Sequence, residues 1–131
     1  MSVVYLDSCV VIDVLDTKAP HYEWAVSALE QYAELSISPI AFSEICAPLR
    51  TVEEALSLLK DLNLTLRAPC HRTLFLASKK HLEYRRRSGK KSGVLSDFFI
   101  GAQAAVEKGR LITRNKGRFS TYFPMLDILC P

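Results

Sequence analysis

Five short β-favouring runs alternate with stretches of helical periodicity, and this alternation restricts the fold more than any other feature of the chain. The runs are Val3-Val4-Tyr5-Leu6, Leu35-Ser36-Ile37-Ser38, residues 62–67, Leu111-Ile112-Thr113 and residues 125–129. The first is apolar throughout, the signature of a central strand buried on both faces. The third alternates leucines with Asn63, Thr65 and Arg67, which predicts a half-buried strand. Between them the spacing predicts a short buried helix at 8–15 and amphipathic helices over 22–35 and 52–62. Pro39 opens a helix that Pro48 ends. A long helix runs from about His71 into a basic stretch broken by Gly89 and Gly93. Another covers 94–108, with Gly109 at its C′ position, and a short turn or helix covers 115–122. Strands and helices in this order imply a parallel sheet covered by helices on both faces. In such sheets ligands bind beyond the carboxyl ends of the strands, at the topological switch point.

The length of 131 residues suits a single domain, 1–131, with a core large enough to need no metal or disulfide staple. The longest apolar run is interrupted by Asp13 and is far too short to cross a bilayer. The opening MSVVYLDS lacks the basic residues of a secretory leader, so a cytoplasmic protein is expected. Cys9, Cys46, Cys70 and Cys130 lack CxxC pairing and are read as reduced, mostly buried thiols. The net charge of +3 is unevenly spread. Between Lys79 and Gly93 seven cations face one acid, Glu83, for a net +6, which leaves −3 on the remainder. A basic block on a slightly acidic body suits a polyanionic partner.

Three acids stand in apolar surroundings. Asp7 directly follows VVYL, Glu44 lies within PIAFSEIC, and Asp97 lies near the start of the helix containing SDFFIGAQA. An ionised carboxylate in such a setting is costly unless something compensates it. The small residues Gly101, Ala104 and Ala105 allow close helix approach and turn the Asp97 face inward. Taken singly, each acid reads as a cap or a salt-bridge partner. Three together, without obvious basic partners in the core, favour a shared divalent cation. Oxygen-only ligands from three separate elements imply Mg²⁺ or Mn²⁺ and exclude an EF-hand loop. His21, His71 and His81 fall in or beside helical surfaces and are read as structural.

The series VVYLDSCVVID, FSEI, LSDFFIGAQA and LITRNKGRF resembles the PIN domain, and within it the VapC-type toxin ribonucleases of toxin–antitoxin pairs. Each motif is short, but the four occur in order across the whole chain. The resemblance implies a three-layer α/β/α sandwich around a mainly parallel sheet. It also implies Mg²⁺- or Mn²⁺-dependent cleavage of RNA, a homodimer, and an antitoxin that blocks the site. Asp7, Glu44 and Asp97 match the family's three recurrent acids, as catalytic residues and metal ligands. Ser8 or Thr113 matches a hydroxyl often found beside the metal. Where the family often carries a fourth acid, this chain has Asn115 and Arg118, which leaves open whether one metal or two is used. Arg85, Arg86, Arg87, Lys90, Lys91 and Arg114 are candidates to hold the RNA backbone without reading sequence.

Two other phosphoryl chemistries fit poorly. A haloacid-dehalogenase-type phosphatase needs a second acid two residues after the first, and Cys9 stands there. A receiver domain needs an aspartate after its third strand, and none follows Arg67 closely. The stronger alternative is a PIN fold that binds RNA or a partner protein without cutting.

Overall fold

The computed structural model describes residues 3–88 and 95–131. Its centre is β1 (Val4–Leu6), all three residues of which are buried. α1 (Ser8–Val14) and α2 (Tyr22–Glu30) lead to β2 (Leu35–Ile37). α3 (Pro39–Cys46) and α4 (Val52–Asp61) lead to β3 (Leu64–Leu66). The helical pair α5 (His71–Ser88) and α6 (Leu95–Val106) precedes β4 (Arg110–Ile112), and α7 (Lys116–Ser120) precedes β5 (Asp127–Leu129).

The strands form one sheet in the order β3-β2-β1-β4-β5. Every pairing is parallel, with Tyr5 opposite both Ser36 and Leu111. Helices flank it as the strand–helix alternation requires, giving the three-layer α/β/α sandwich. From β1 the chain first builds outward through β2 and β3, then crosses to the other side through β4 and β5. The switch point therefore lies between the carboxyl ends of β1 and β4.

Local chemistry explains the helix starts. Ser38 caps α3 by accepting the Ala41 N–H at 3.2 Å, and Pro39 occupies the first helical position. Thr51 caps α4 by accepting the Glu54 N–H at 3.1 Å, while Glu54 reaches back to accept the Arg50 N–H. Leu6, Val10, Val11, Ile37, Leu111 and Ile112 are fully buried between sheet and helices. Each such side chain contributes about 1.5–3 kcal/mol. A smaller cluster of Ala77, Phe98, Ala102 and Phe123 joins α5, α6 and the segment after α7.

The structure amends several details. α2 stops at Glu30 instead of running to 35, because Leu35 is needed for pairing beside Asn63 and Leu64. Asn63 turns the chain with φ 53° and its side-chain amide bonds to the Ala33 carbonyl. Leu66 is 44% exposed, since β3 lies at the sheet edge with one neighbour only. The helix at 8–15 is buried on one side alone, and Ile12 and Leu15 face outward. None of the cysteines is fully buried, and Cys70 is exposed. Gly101 meets the rings of Phe123 and Phe119, not another helix backbone. Among the described residues no helix is long and apolar enough to cross a membrane.

The end of α6 differs by one residue from the expectation. Lys108, with φ 53°, is the left-handed C′ residue, and Gly109 follows it. The Lys108 N–H bonds to the Ala105 carbonyl and the Gly109 N–H to the Ala104 carbonyl at 2.9 Å, which is the Schellman pattern. Gly109 is required for a different reason: a Cβ there would stand 2.4 Å from the Val3 carbonyl oxygen. The two positions should therefore respond oppositely. Lys108→Gly is expected to gain up to about 1 kcal/mol by removing left-handed strain. Gly109→Ala is expected to lose about 1–3 kcal/mol through the backbone clash. Urea midpoints at constant slope check both.

Candidate active site

Asp7 sits at the N-cap of α1 with an extended backbone, yet its side chain accepts no capping bond from that helix's backbone. Its N–H donates to the Ile112 carbonyl at 3.0 Å, which ties the end of β1 to β4. The carboxylate is only 3% exposed. Thr113, fully buried, donates its hydroxyl to Asp7 Oδ2 at 2.8 Å and accepts the Asn115 N–H at 3.0 Å. The Cys9 thiol lies 3.4 Å from the same oxygen. Burial, and then the negative charge of Asp7, push that thiol up to about 11, so Cys9 is a neutral donor.

Glu44 projects from α3 at the surface, and Ser8 donates to its Oε1 at 2.9 Å. Asp97 enters from the first turn of α6 and is 8% exposed. Burial pushes its carboxyl up to about 6. Arg118 opposes that shift, and the negative charges of Asp7 and Glu44 add to it. Asp97 thus shares an electrostatic field with both other acids. Among the described residues, however, no three His, Cys, Asp or Glu side chains are grouped so as to enclose a metal by themselves. The expectation of convergence on one ion is narrowed accordingly. The donor set suits a hydrated hard cation such as Mg²⁺, which keeps several waters and takes one or two carboxylates directly.

Of the residues singled out in the sequence, Asp7 and Thr113 are bonded to each other at the carboxyl ends of β1 and β4, with the Asn115 N–H on Thr113; Ser8 and Glu44 form a separate pair, and Asp97 is related to Asp7 and Glu44 by charge. Arg114 is not aimed at them. Its Nε donates to Asp13 Oδ2 at 2.6 Å, so an acid of α1 holds its charge. Arg85, Arg86 and Arg87 occupy the last turn of α5. Lys90 and Lys91 lie outside the described residues.

Arg118 is the residue whose role the sequence did not disclose. In sequence it reads only as a missing acid, whereas its Nη1 lies 3.8 Å from Asp97 Oδ2, an ion pair too long for a hydrogen bond. The formal charge of the three acids falls from −3 to −2 when Arg118 is included. The available signal was Phe119, which is fully buried and so anchors α7 with its neighbour against the site.

A parallel sheet of this order, with Asp7 at the carboxyl end of its central strand, defines the class as a three-layer α/β/α protein. The chain belongs to the PIN domain family, whose profile matches residues 4–122. Solved structures share the fold. A chain of VapBC-1 from nontypeable Haemophilus influenzae aligns with a TM-score of 0.73 at 17% identity, covering 98% of this chain and 97% of that one. A chain of DNA-bound VapBC from Salmonella typhimurium gives 0.70 at 18%, covering 99% and 98%. A chain of FitAcB from Neisseria gonorrhoeae gives 0.68 at 18%, covering 96% of each. No curated protein matches the sequence.

The raised Asp97 carboxyl has a consequence for stability. The folded state binds the proton more tightly than the unfolded state, so this contribution is complete below the ordinary carboxyl range near 3.8 and is lost as pH rises through about 6. In chelator, Asp97→Asn is therefore expected to match its parent near pH 4 and to exceed it at pH 7 by about 1–3 kcal/mol. Thermal melts across that range check it. A capping carboxylate would instead lose stability on substitution at pH 7.

Proposed function

We propose that this chain is a Mg²⁺- or Mn²⁺-dependent endoribonuclease, the toxin of a toxin–antitoxin pair. The observation that carries the reading is Asp97. It is a buried carboxylate whose neighbours, Asp7 and Glu44, are also acidic and whose one basic partner among the described residues stands at 3.8 Å. Such a group calls for a cation. Asp7 and Asp97 would hold the ion directly or through water, and Glu44 would help to hold it or orient the attacking water. A bound divalent ion lowers the pKa of water and offsets charge growing on the phosphoryl oxygens during in-line hydrolysis. Thr113 orients the Asp7 carboxylate, and Ser8 does the same for Glu44. Arg85, Arg86 and Arg87, with Lys90 and Lys91, would grip the RNA backbone.

Membership of the PIN family supports the nuclease reading, and neighbours solved as toxin–antitoxin complexes support the partner. An antitoxin would place a basic side chain near Asp7 and Asp97. Val52 and Leu56 on α4 are 70% and 57% exposed, and offer apolar surface for the antitoxin or for a second copy of the chain. A second reading, RNA binding without cutting, draws on Arg118, which partly satisfies Asp97 from within the chain.

Cleavage of a fluorogenic single-stranded RNA distinguishes them. The parent protein should cut in Mg²⁺ or Mn²⁺ and not in chelator, and Asp7→Asn and Asp97→Asn should abolish cutting. Replacing Arg85, Arg86 and Arg87 with Ala should reduce the slope of log affinity against log salt by up to about 2. Binding without cleavage by the parent would favour the second reading. Cleavage that survives chelator would overturn the first.

A further inference from the structure

The two oxygens of the Asp7 carboxylate are treated unequally. An N-cap aspartate ordinarily accepts N–H groups from the first turn of its own helix, and Asp7 accepts none from α1. Its Oδ2 is turned instead to two other donors, the Thr113 hydroxyl at 2.8 Å and the Cys9 thiol at 3.4 Å. A carboxylate only accepts, whereas a hydroxyl and a thiol each carry one proton. The Thr113 oxygen gives its proton to Asp7 and accepts the Asn115 N–H at 3.0 Å. The thiol lies 3.9 Å from that oxygen, farther than from Asp7, so its proton also goes to the carboxylate. Cys9 is held in this direction by its place in the first turn of α1, which the fully buried Val10 and Val11 pin to the sheet.

A carboxylate has about four lone-pair sites, two on each oxygen. On Oδ2 both are taken. Oδ1 accepts no bond from the described residues, and none of their closed-off side-chain oxygens lacks a partner, so Oδ1 keeps an opening to solvent. The buried side of the group is thus held by the chain, and the open side is left for something else.

We propose that Cys9 is a positioning residue of the metal site: with Thr113 it fills Oδ2, so that Asp7 offers a divalent ion one oxygen, Oδ1. This assignment rests on the metal-dependent reading above and adds to it a basis for choosing among ions. Mg²⁺ is small, keeps several waters and is bound through one or two carboxylates in a near-ideal octahedron. Ca²⁺ is larger, takes more oxygens and readily uses both oxygens of one carboxylate. A carboxylate filled on one side therefore favours Mg²⁺ or Mn²⁺ over Ca²⁺. The sulfur stays behind the carboxylate and does not touch the ion.

The test uses the full chain without RNA. Mn²⁺ binding is followed by water-proton relaxation, with Mg²⁺ or Ca²⁺ added as competitor. The parent should release Mn²⁺ to Mg²⁺ at lower concentration than to Ca²⁺. Cys9→Ala should weaken Mn²⁺ binding about tenfold and narrow the gap between Mg²⁺ and Ca²⁺. Cys9→Ser, which keeps a donor on the same Cβ, should retain both values. Cd²⁺ shows whether sulfur binds the ion itself: at one equivalent, the parent and Cys9→Ser should absorb alike in the ultraviolet. A sulfur-to-cadmium charge-transfer band present in the parent alone would overturn the assignment. So would a Cys9→Ala protein with unchanged Mn²⁺ affinity and ion preference, even one of lowered melting temperature, since support of the fold alone would produce that result. Should Cys9→Ala fail to fold, the parent's ion preference and the Cd²⁺ comparison still decide. All these outcomes leave the metal-dependent reading intact, whereas a parent that binds no Mn²⁺ would overturn both.

Discussion

The hydrogen bond from the Thr113 hydroxyl to Asp7 is the constraint on which the rest of the site depends. It joins the residue just after β1 to the residue just after β4, across the one place where the order of the sheet reverses. Both groups are buried, so neither carboxylate nor hydroxyl has water as an alternative partner. Strand pairing sets the register, with Leu6 opposite Ile112 and the Asp7 N–H on the Ile112 carbonyl. A one-residue slip would turn Asp7 to the other face and separate the pair. The apolar sheet thus does more than stabilise the chain: it places a charged group at an orientation that the group alone could not hold.

Around that fixed point the charges are deliberately unbalanced. Asp13 is neutralised by Arg114, and Glu107 by Arg67, as buried or half-buried acids commonly are. Asp97 has Arg118 at a longer distance and two acids nearby. The contrast within one small protein separates carboxylates held by a close arginine from Asp97, whose arginine stands at 3.8 Å.

The sheet and the three acids were legible in the sequence because both rest on local signals. VVYL followed by Asp7 marks a buried strand ending in a charge, and an apolar helix carrying Asp97 marks a carboxylate that needs an explanation. What escaped were features decided by tertiary placement. Arg118 meets Asp97 only because Phe119 is drawn into the core and carries α7 with it. Arg114 looks as free as any surface arginine until α1 brings Asp13 to it. At the end of α6 a glycine was expected in the left-handed position, yet the close approach of Val3 claims Gly109 and pushes the left-handed turn onto Lys108. The edge position of β3, which exposes Leu66, likewise depends on strand order and has no local signature.

The central claim is that the acids at the switch point hold one divalent ion, and direct metal titration tests it without RNA. Mn²⁺ added to the metal-free protein can be followed by the electron paramagnetic resonance of the free aqua ion. The expected result is uptake of one ion per chain, displaced by Mg²⁺ and lost in Asp7→Asn. Uptake of unchanged strength in Asp7→Asn, or no uptake by the parent protein, would contradict the account.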